Sequence, residues 1–121
     1  MDPLRILVVE DEALIGMLLA DMLAAMGHVV CAVTGTQDEA VAAAGRDKPD
    51  MLIVDAWLHE GNGVAAVDQI RRGGAVTHIF VTGDSRSVLA VKPNAIILEK
   101  PFTEALLAAA IDRAHAASKT S

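Results

Sequence analysis

The sequence contains a single cysteine, Cys31, so no disulfide can close within the chain. Set in the β-like run His28-Val29-Val30-Cys31-Ala32-Val33, that thiol reads as a small core side chain. Positive charge is also in short supply, with 10 Lys and Arg against 16 Asp and Glu, a formal net charge of −6. Such a chain lacks the basic patch that provides most of the affinity for nucleic-acid phosphates, so direct nucleic-acid binding is not expected. No apolar run reaches the roughly 18 residues of a membrane span, because Asp, Gly or Lys interrupts each one. Nor does a basic start lead into an apolar stretch with a small-residue cleavage site, and a soluble, cytoplasmic chain is the expectation. Internal repeats, Gly/Ser linkers and long charge runs are missing as well.

What is present is a chain of 121 residues with 53% hydrophobic content, enough for one core and too short for a second folded unit beside it. One domain over residues 1–121 is expected. Leu4-Arg5-Ile6-Leu7-Val8-Val9 and Asp50-Met51-Leu52-Ile53-Val54 are short apolar runs rich in β-branched residues. His78-Ile79-Phe80-Val81 and Ala95-Ile96-Ile97-Leu98 are similar, as are strands buried on both faces of a parallel sheet. Between them, helical spacing runs over about 12–26, where Leu14, Ile15, Leu18, Leu19, Met22, Leu23 and Met26 recur. Further helices are predicted at 37–45, 63–72 and 103–118.

The punctuation agrees with this alternation. Gly27 and Gly73-Gly74 stop helices, Thr36, Asn62 and Thr103 start them, and the tail 116–121 reads as a fraying helix end. From Thr82 to Lys100 there is room only for a short fourth helix, at 84–91, before Pro93. Strands and helices alternating through short loops call for an α/β fold: an open parallel sheet with right-handed crossovers, in the flavodoxin-like (βα)5 order 2-1-3-4-5.

Ligands of such sheets bind at the carboxyl ends of the strands, so the polar residue closing each apolar run is a candidate. Glu10 and Asp11 close the first strand, Asp55 the third, Thr82 the fourth and Lys100 the fifth, and their side chains are expected to converge. Two unit charges of like sign near 4 Å repel by about 4 kcal/mol at an effective dielectric of 20, so three clustered carboxylates invite a divalent cation. Oxygen donors suit Mg2+, with Asp11 and Asp55 as direct ligands and Glu10 acting through water. A carboxylate nucleophile attacks phosphorus to give an acyl phosphate, and Asp55 is placed for that attack. Lys100 would then spread the phosphoryl charge, and the Thr82 hydroxyl could turn toward the arriving group.

Val8-Val9-Glu10-Asp11-Glu12, Ile53-Val54-Asp55, Val81-Thr82-Gly83 and Leu98-Glu99-Lys100-Pro101-Phe102 together resemble the receiver domain of two-component response regulators over essentially the whole chain. The resemblance implies that Glu10 and Asp11 are metal-site acids, Asp55 the phosphoacceptor, Thr82 the switch hydroxyl and Lys100 the phosphate-contacting cation. It further implies a carbonyl ligand from Trp57, a cis bond before Pro101 and phosphoryl donation by a histidine kinase or histidine phosphotransferase.

The sequence also departs from the family pattern. Ile97 stands where most relatives carry an aromatic three residues before the lysine. That absence, the Phe80-Val81-Thr82-Gly83 segment and the short fourth helix resemble the alphaproteobacterial single-domain subgroup called FATGUY. Val81 replaces that motif's alanine, Ser85 its tyrosine, and His59 the usual proline of the loop after the phosphoacceptor.

Beside these candidates stand plainer readings. Trp57 is expected to shield the pocket partly from water, His59 to be a solvated loop residue despite its nearness, and Asp84 to be a helix cap. His28, His78 and His115 show no metal spacing, Arg71-Arg72 complement a helix dipole, and Lys92 is expected to be a solvated surface charge. Leu106, Leu107 and Ile111 are expected to face the core. The resulting expectation is a non-enzymatic signalling module, a monomer or weak dimer with no membrane partner, that accepts a phosphoryl group and signals by protein contact or onward transfer. Its rivals are a phosphate-independent pseudo-receiver and a phosphohydrolase that uses an aspartyl phosphate. Against the hydrolase, Trp57 fills the position where such enzymes carry a second acid.

Overall fold

Five apolar strands, four of them with buried residues and one a half-exposed edge, set the architecture of the computed structural model, which describes residues 2–120. In chain order the elements are β1 (Arg5–Val9), α1 (Ala13–Ala25), β2 (Val29–Thr34), α2 (Gln37–Asp47) and β3 (Met51–Asp55). They continue with α3 (Gly63–Arg71), β4 (Thr77–Thr82), α4 (Ser85–Val91), β5 (Ile97–Glu99) and α5 (Glu104–Thr120). All pairings are parallel and the order is β2-β1-β3-β4-β5, as the alternation of periods predicted. Of the tail 116–121 expected to fray, α5 continues as helix through Thr120, and Ser121 lies outside the described residues.

Because successive strand residues point to opposite faces, the sheet carries two cores. Ile6, Val8, Met51, Ile53, Ile79, Val81 and Leu98 pack on one face against Leu19 and Leu23 of α1 and Leu107, Ala110 and Ile111 of α5. Leu7, Val9, Leu52, Val54 and Phe80 pack on the other against alanines of α2, Val64 and Val67 of α3 and Val88 of α4. Each fully buried large aliphatic side chain is worth about 1.5–3 kcal/mol of transfer free energy, which is why the central strands tolerate no polar interruption. Helix starts follow local chemistry: Thr36 Oγ1 accepts from Glu39 N at 3.1 Å, Asn62 Oδ1 from Ala65 N at 3.0 Å and Thr103 Oγ1 from Leu106 N at 3.1 Å. Gly27, at φ 90°, lies just past the end of α1 where a left-handed residue turns the chain into β2.

Several expectations need correction. The fifth strand is Ile97–Glu99 rather than 95–98, because Ala95 N donates to Lys92 O at 3.1 Å and closes a turn where a strand residue was expected. In α1, Ile15, Leu19, Met22 and Leu23 reach the core, as does its C-cap Met26, but Leu14, Met17 and Leu18 stay 82%, 63% and 47% exposed. This helix is apolar on more of its circumference than one sheet face can cover. Leu107 and Ile111 are core, whereas neighbouring Leu106 is exposed. Lys92 is no free surface charge: its Nζ lies 2.7 Å from Asp68 Oδ1, tying the end of α4 to α3.

Gly63, the first residue of α3, fixes the approach of that helix to the third strand. A Cβ there would collide with the Asp55 carbonyl oxygen, and Gly63 N donates to Ala56 O at 3.0 Å. The close fit anchors the backbone that carries Asp55.

Candidate functional site

The parallel sheet ends its central strands at one level, and the first polar residues after the apolar runs meet there. Glu10, just past β1, and Asp55, the last residue of β3, are buried beside Lys100, just past β5. Lys100 Nζ stands 3.1 Å from Glu10 Oε1 and 3.2 Å from Asp55 Oδ2, with Glu12 Oε2 at 4.0 Å. Its bond to Asp55 is a hydrogen bond, whereas its approach to Glu10 Oε1 is ion pairing alone. That oxygen is buried and has no hydrogen bond among the described residues. Glu10 Oε2 accepts from Glu12 N at 3.1 Å, and Asp55 Oδ1 accepts from Trp57 N at 3.1 Å. Asp11 completes the group, for one carboxylate oxygen from each of Glu10, Asp11 and Asp55 lies within 4.8 Å of the others.

One ammonium against three carboxylates leaves the pocket with excess negative charge, and the proton affinities respond. Burial, then the Asp55 carboxylate beside it, pushes Glu10 up to about 7. For Lys100, burial works against the charge, but Glu10 and Asp55 outweigh it and hold the ammonium above its usual value. For Asp11, burial pulls upward, and the backbone N–H and ring of His59 more than offset it, leaving the carboxyl below its ordinary range. Three carboxylates faced by a single ammonium make an oxygen-only donor set that fits a hard divalent cation such as Mg2+.

Thr82 and Trp57 stand differently from the acids. The Thr82 side chain is buried, but its hydroxyl donates to Asp84 O at 3.3 Å and accepts from Asp84 N at 3.0 Å. It is engaged with the β4–α4 turn. Trp57 is 42% exposed, and its indole N–H donates to Ser87 Oγ at 2.9 Å, while Ser87 Oγ donates in turn to Asp84 O at 2.8 Å. Asp84 also accepts from Ser87 N through its own carboxylate at 3.4 Å, the capping role expected of it. Thr82, Asp84, Ser87 and Trp57 thus form one chain of contacts from the fourth strand to the loop after Asp55. The peptide bond before Pro101 is cis, as the resemblance implied.

Sequence reasoning placed His59 near the pocket as a solvated residue, and its side chain is 86% exposed, but missed its contact with Asp11 and missed Ser87 altogether. The His59 ring does not simply face solvent: Nδ1 lies 2.5 Å from Asp11 Oδ2, and His59 N donates to the same oxygen at 2.7 Å. The available signal was its place four residues past Asp55, in the loop that must pass the end of β1. Ser87 carried no signal, since its partner comes from a different element. The remaining histidines play structural parts: His28 Nδ1 accepts from Leu4 N at 3.0 Å, and His78 packs edge-on to Phe80 with ring centroids 5.3 Å apart.

Comparison with known proteins supplies the family. A family model described as the response regulator receiver domain matches residues 6–112. The phyllosphere-induced regulator PhyR of Methylorubrum extorquens is 35% identical over 114 residues, which are 91% of this chain and 43% of that protein. The transcriptional regulatory protein PdtaR of Mycobacterium tuberculosis is 34% identical over 116 residues, covering 93% of this chain and 57% of the relative. This chain therefore spans about half the length of these relatives. The crystal structure of the response regulator PhyR from Brucella abortus superposes with a TM-score of 0.87 at 31% identity, over 97% of this chain and 51% of that one. None of the helices among the described residues is long and apolar enough to cross a membrane. With its strand order, the acids at its strand ends and a receiver match from Ile6 to Asp112, the chain belongs to the response regulator receiver family.

Proposed function

We propose that the protein is a phosphoacceptor module of a phosphorelay, which takes a phosphoryl group on Asp55 from a phosphohistidine and signals by the change that follows, without turning over a substrate. The observation that carries this reading is the contact of Lys100 Nζ with Asp55 Oδ2 at 3.2 Å inside a pocket shared with Glu10 and Asp11. In the transfer, an Asp55 oxygen forms the new bond to phosphorus, the phosphorus–nitrogen bond of the donor breaks, and the imidazole leaves with the electron pair. Lys100 balances charge on the transferring oxygens. Mg2+ held by Asp11, Asp55 and the Trp57 carbonyl, with Glu10 acting through water, would supply the rest of that positive charge. The test is incubation of the purified protein with acetyl phosphate and Mg2+, read by intact mass. A gain of one phosphoryl group, lost on base treatment as an acyl phosphate is, is expected; no gain from either acetyl phosphate or phosphohistidine donors would leave a phosphate-independent module.

Exposed Leu14, Met17 and Leu18 on α1 begin within one turn of Asp11 and offer an apolar seat for a histidine-bearing partner. Replacing Leu14 and Leu18 by serine is expected to slow phosphotransfer from a protein donor about tenfold or more, the loss of roughly 1.4 kcal/mol or more of docking energy. Labelling by acetyl phosphate should stay unchanged. Unchanged transfer from the protein donor would move the docking surface elsewhere.

The output side of this reading starts at Thr82. When its hydroxyl turns to a phosphoryl oxygen it releases Asp84, whose carbonyl also holds Ser87, and Ser87 holds the Trp57 indole. With Ile97 in place of an aromatic on β5, this chain of contacts offers another route from the phosphoacceptor to α4. Ser87→Ala is expected to shift the emission of the only tryptophan before phosphorylation and to shrink the shift that phosphorylation causes. Retention of the full wild-type shift would separate Trp57 from Thr82.

A further inference from the structure

Asp11 is held by one residue through two donors. Its side chain is only 12% exposed, yet its outer contact, His59, is 86% exposed, so the imidazole lies over the acid from the solvent side. Both donors meet at Oδ2: the backbone N–H at 2.7 Å and Nδ1 at 2.5 Å. An ionised carboxylate has only acceptor sites, so Nδ1 carries the hydrogen of that contact. The ring nitrogens do not belong to the group of donor atoms that Glu10, Asp11 and Asp55 form within 4.8 Å of one another. The ring thus lies outside the converging acids, braced against one of them, and is not a fourth member of the group.

Resting on the reading that these acids hold a divalent cation, we infer that His59 is a positioning residue that fixes the Asp11 carboxylate for that cation and sets the preference of the site for a small ion. A short acid on the second residue beyond a strand has two free torsions. Two donors on one of its oxygens remove that freedom before the ion arrives. Partners of metal-binding side chains generally contribute 10–100-fold in affinity by such orientation. The geometric demand differs between ions: Mg2+ requires near-ideal octahedral placement, whereas Ca2+ accepts a loose shell. Freeing Asp11 should therefore cost Mg2+ more than Ca2+.

The experiment is calorimetric titration of the full chain with Mg2+ and with Ca2+, comparing wild type, His59→Ala and His59→Asn. Alanine keeps the backbone donor and removes the ring; asparagine returns a side-chain N–H near the position of Nδ1. The expected result is Mg2+ affinity lowered about tenfold in His59→Ala, a smaller loss for Ca2+, and recovery of most of the Mg2+ affinity in His59→Asn. Thermal unfolding in chelator should stay cooperative for all three, with no more than the small loss expected of one exposed contact in His59→Ala. Unchanged or tighter Mg2+ binding by His59→Ala overturns the inference while leaving the cation site standing. Failure of the wild type to bind either ion overturns the inference together with the reading of the site on which it rests.

Discussion

Replacing Asp55 by asparagine is expected to abolish phosphoryl incorporation from both acetyl phosphate and phosphohistidine donors, a loss of more than about a hundredfold. The reason lies in how the three acids differ. Asp11 is engaged at Oδ2 by both donors of His59, and Glu10 is pushed up to about 7 by burial and by Asp55, so it holds a proton more readily than an ordinary carboxyl. Asp55 is the last residue of a central strand and accepts a hydrogen bond from the Lys100 ammonium, where developing phosphoryl charge would be met. Asparagine keeps the shape, and its amide oxygen can still accept from Trp57 N. The variant also removes one of three mutually repelling charges, an interaction of about 4 kcal/mol per pair at 4 Å and an effective dielectric of 20. It should therefore be at least as stable as the wild type in chelator. Intact mass after incubation with each donor, beside thermal unfolding, checks both halves. Label persisting in a folded Asp55→Asn protein would place the acceptor on another residue.

How far the sequence could be read follows from how local each signal is. Helix starts were legible at Thr36, Asn62, Asp84 and Thr103 because a cap acts within three residues of itself. The strand order and the convergence of Glu10, Asp11, Asp55 and Lys100 were legible because a parallel sheet brings the ends of its strands to one edge whatever the details of packing. Other features depend on partners far along the chain. The apolar stripe of α1 gave no means of telling that Leu14 and Leu18 miss the sheet, since the spacing is the same for a covered and an uncovered face. Lys92 pairs with Asp68 across 24 residues, His59 with Asp11 across 48 and Trp57 with Ser87 across 30, so nothing beside any of these residues announces its partner. The fifth strand slipped because Ala95 and Ile96 have the composition of a strand while the turn closed on Lys92 holds Ala95. Thr82 was placed at the right strand end, but its contact with Asp84 belongs to a turn whose shape no residue type dictates.

The pocket's charge imbalance makes a second large prediction, on stability. In the metal-free protein, Glu10 rises from the ordinary 4.5 to about 7, first through burial and then through Asp55. A carboxyl whose folded value lies above its unfolded one binds its proton more tightly in the fold, so it contributes stability below the unfolded value and loses it as pH rises through the folded one. Metal-free protein should therefore be more stable near pH 6 than near pH 8, by an amount on the order of 1–3 kcal/mol, since a tenfold change in proton affinity is worth about 1.4 kcal/mol. Below the ordinary aspartate value of 3.8 the trend reverses, because Asp11, held down by His59 against the upward pull of burial, loses its stabilising charge there. Glu10→Gln, neutral at every pH, should flatten the slope between about pH 6 and 8 and exceed the wild type in stability at the upper end. Added Mg2+ should act against the slope in the wild type, stabilising most at high pH where Glu10 is ionised, and should do less in Glu10→Gln. Denaturant unfolding at both pH values, in chelator and in Mg2+, measures all of these. A wild type as stable near pH 8 as near pH 6 without metal would mean that Lys100, 3.1 Å from Glu10 Oε1, compensates the buried charge in full and that the pocket needs no cation to hold its acids together.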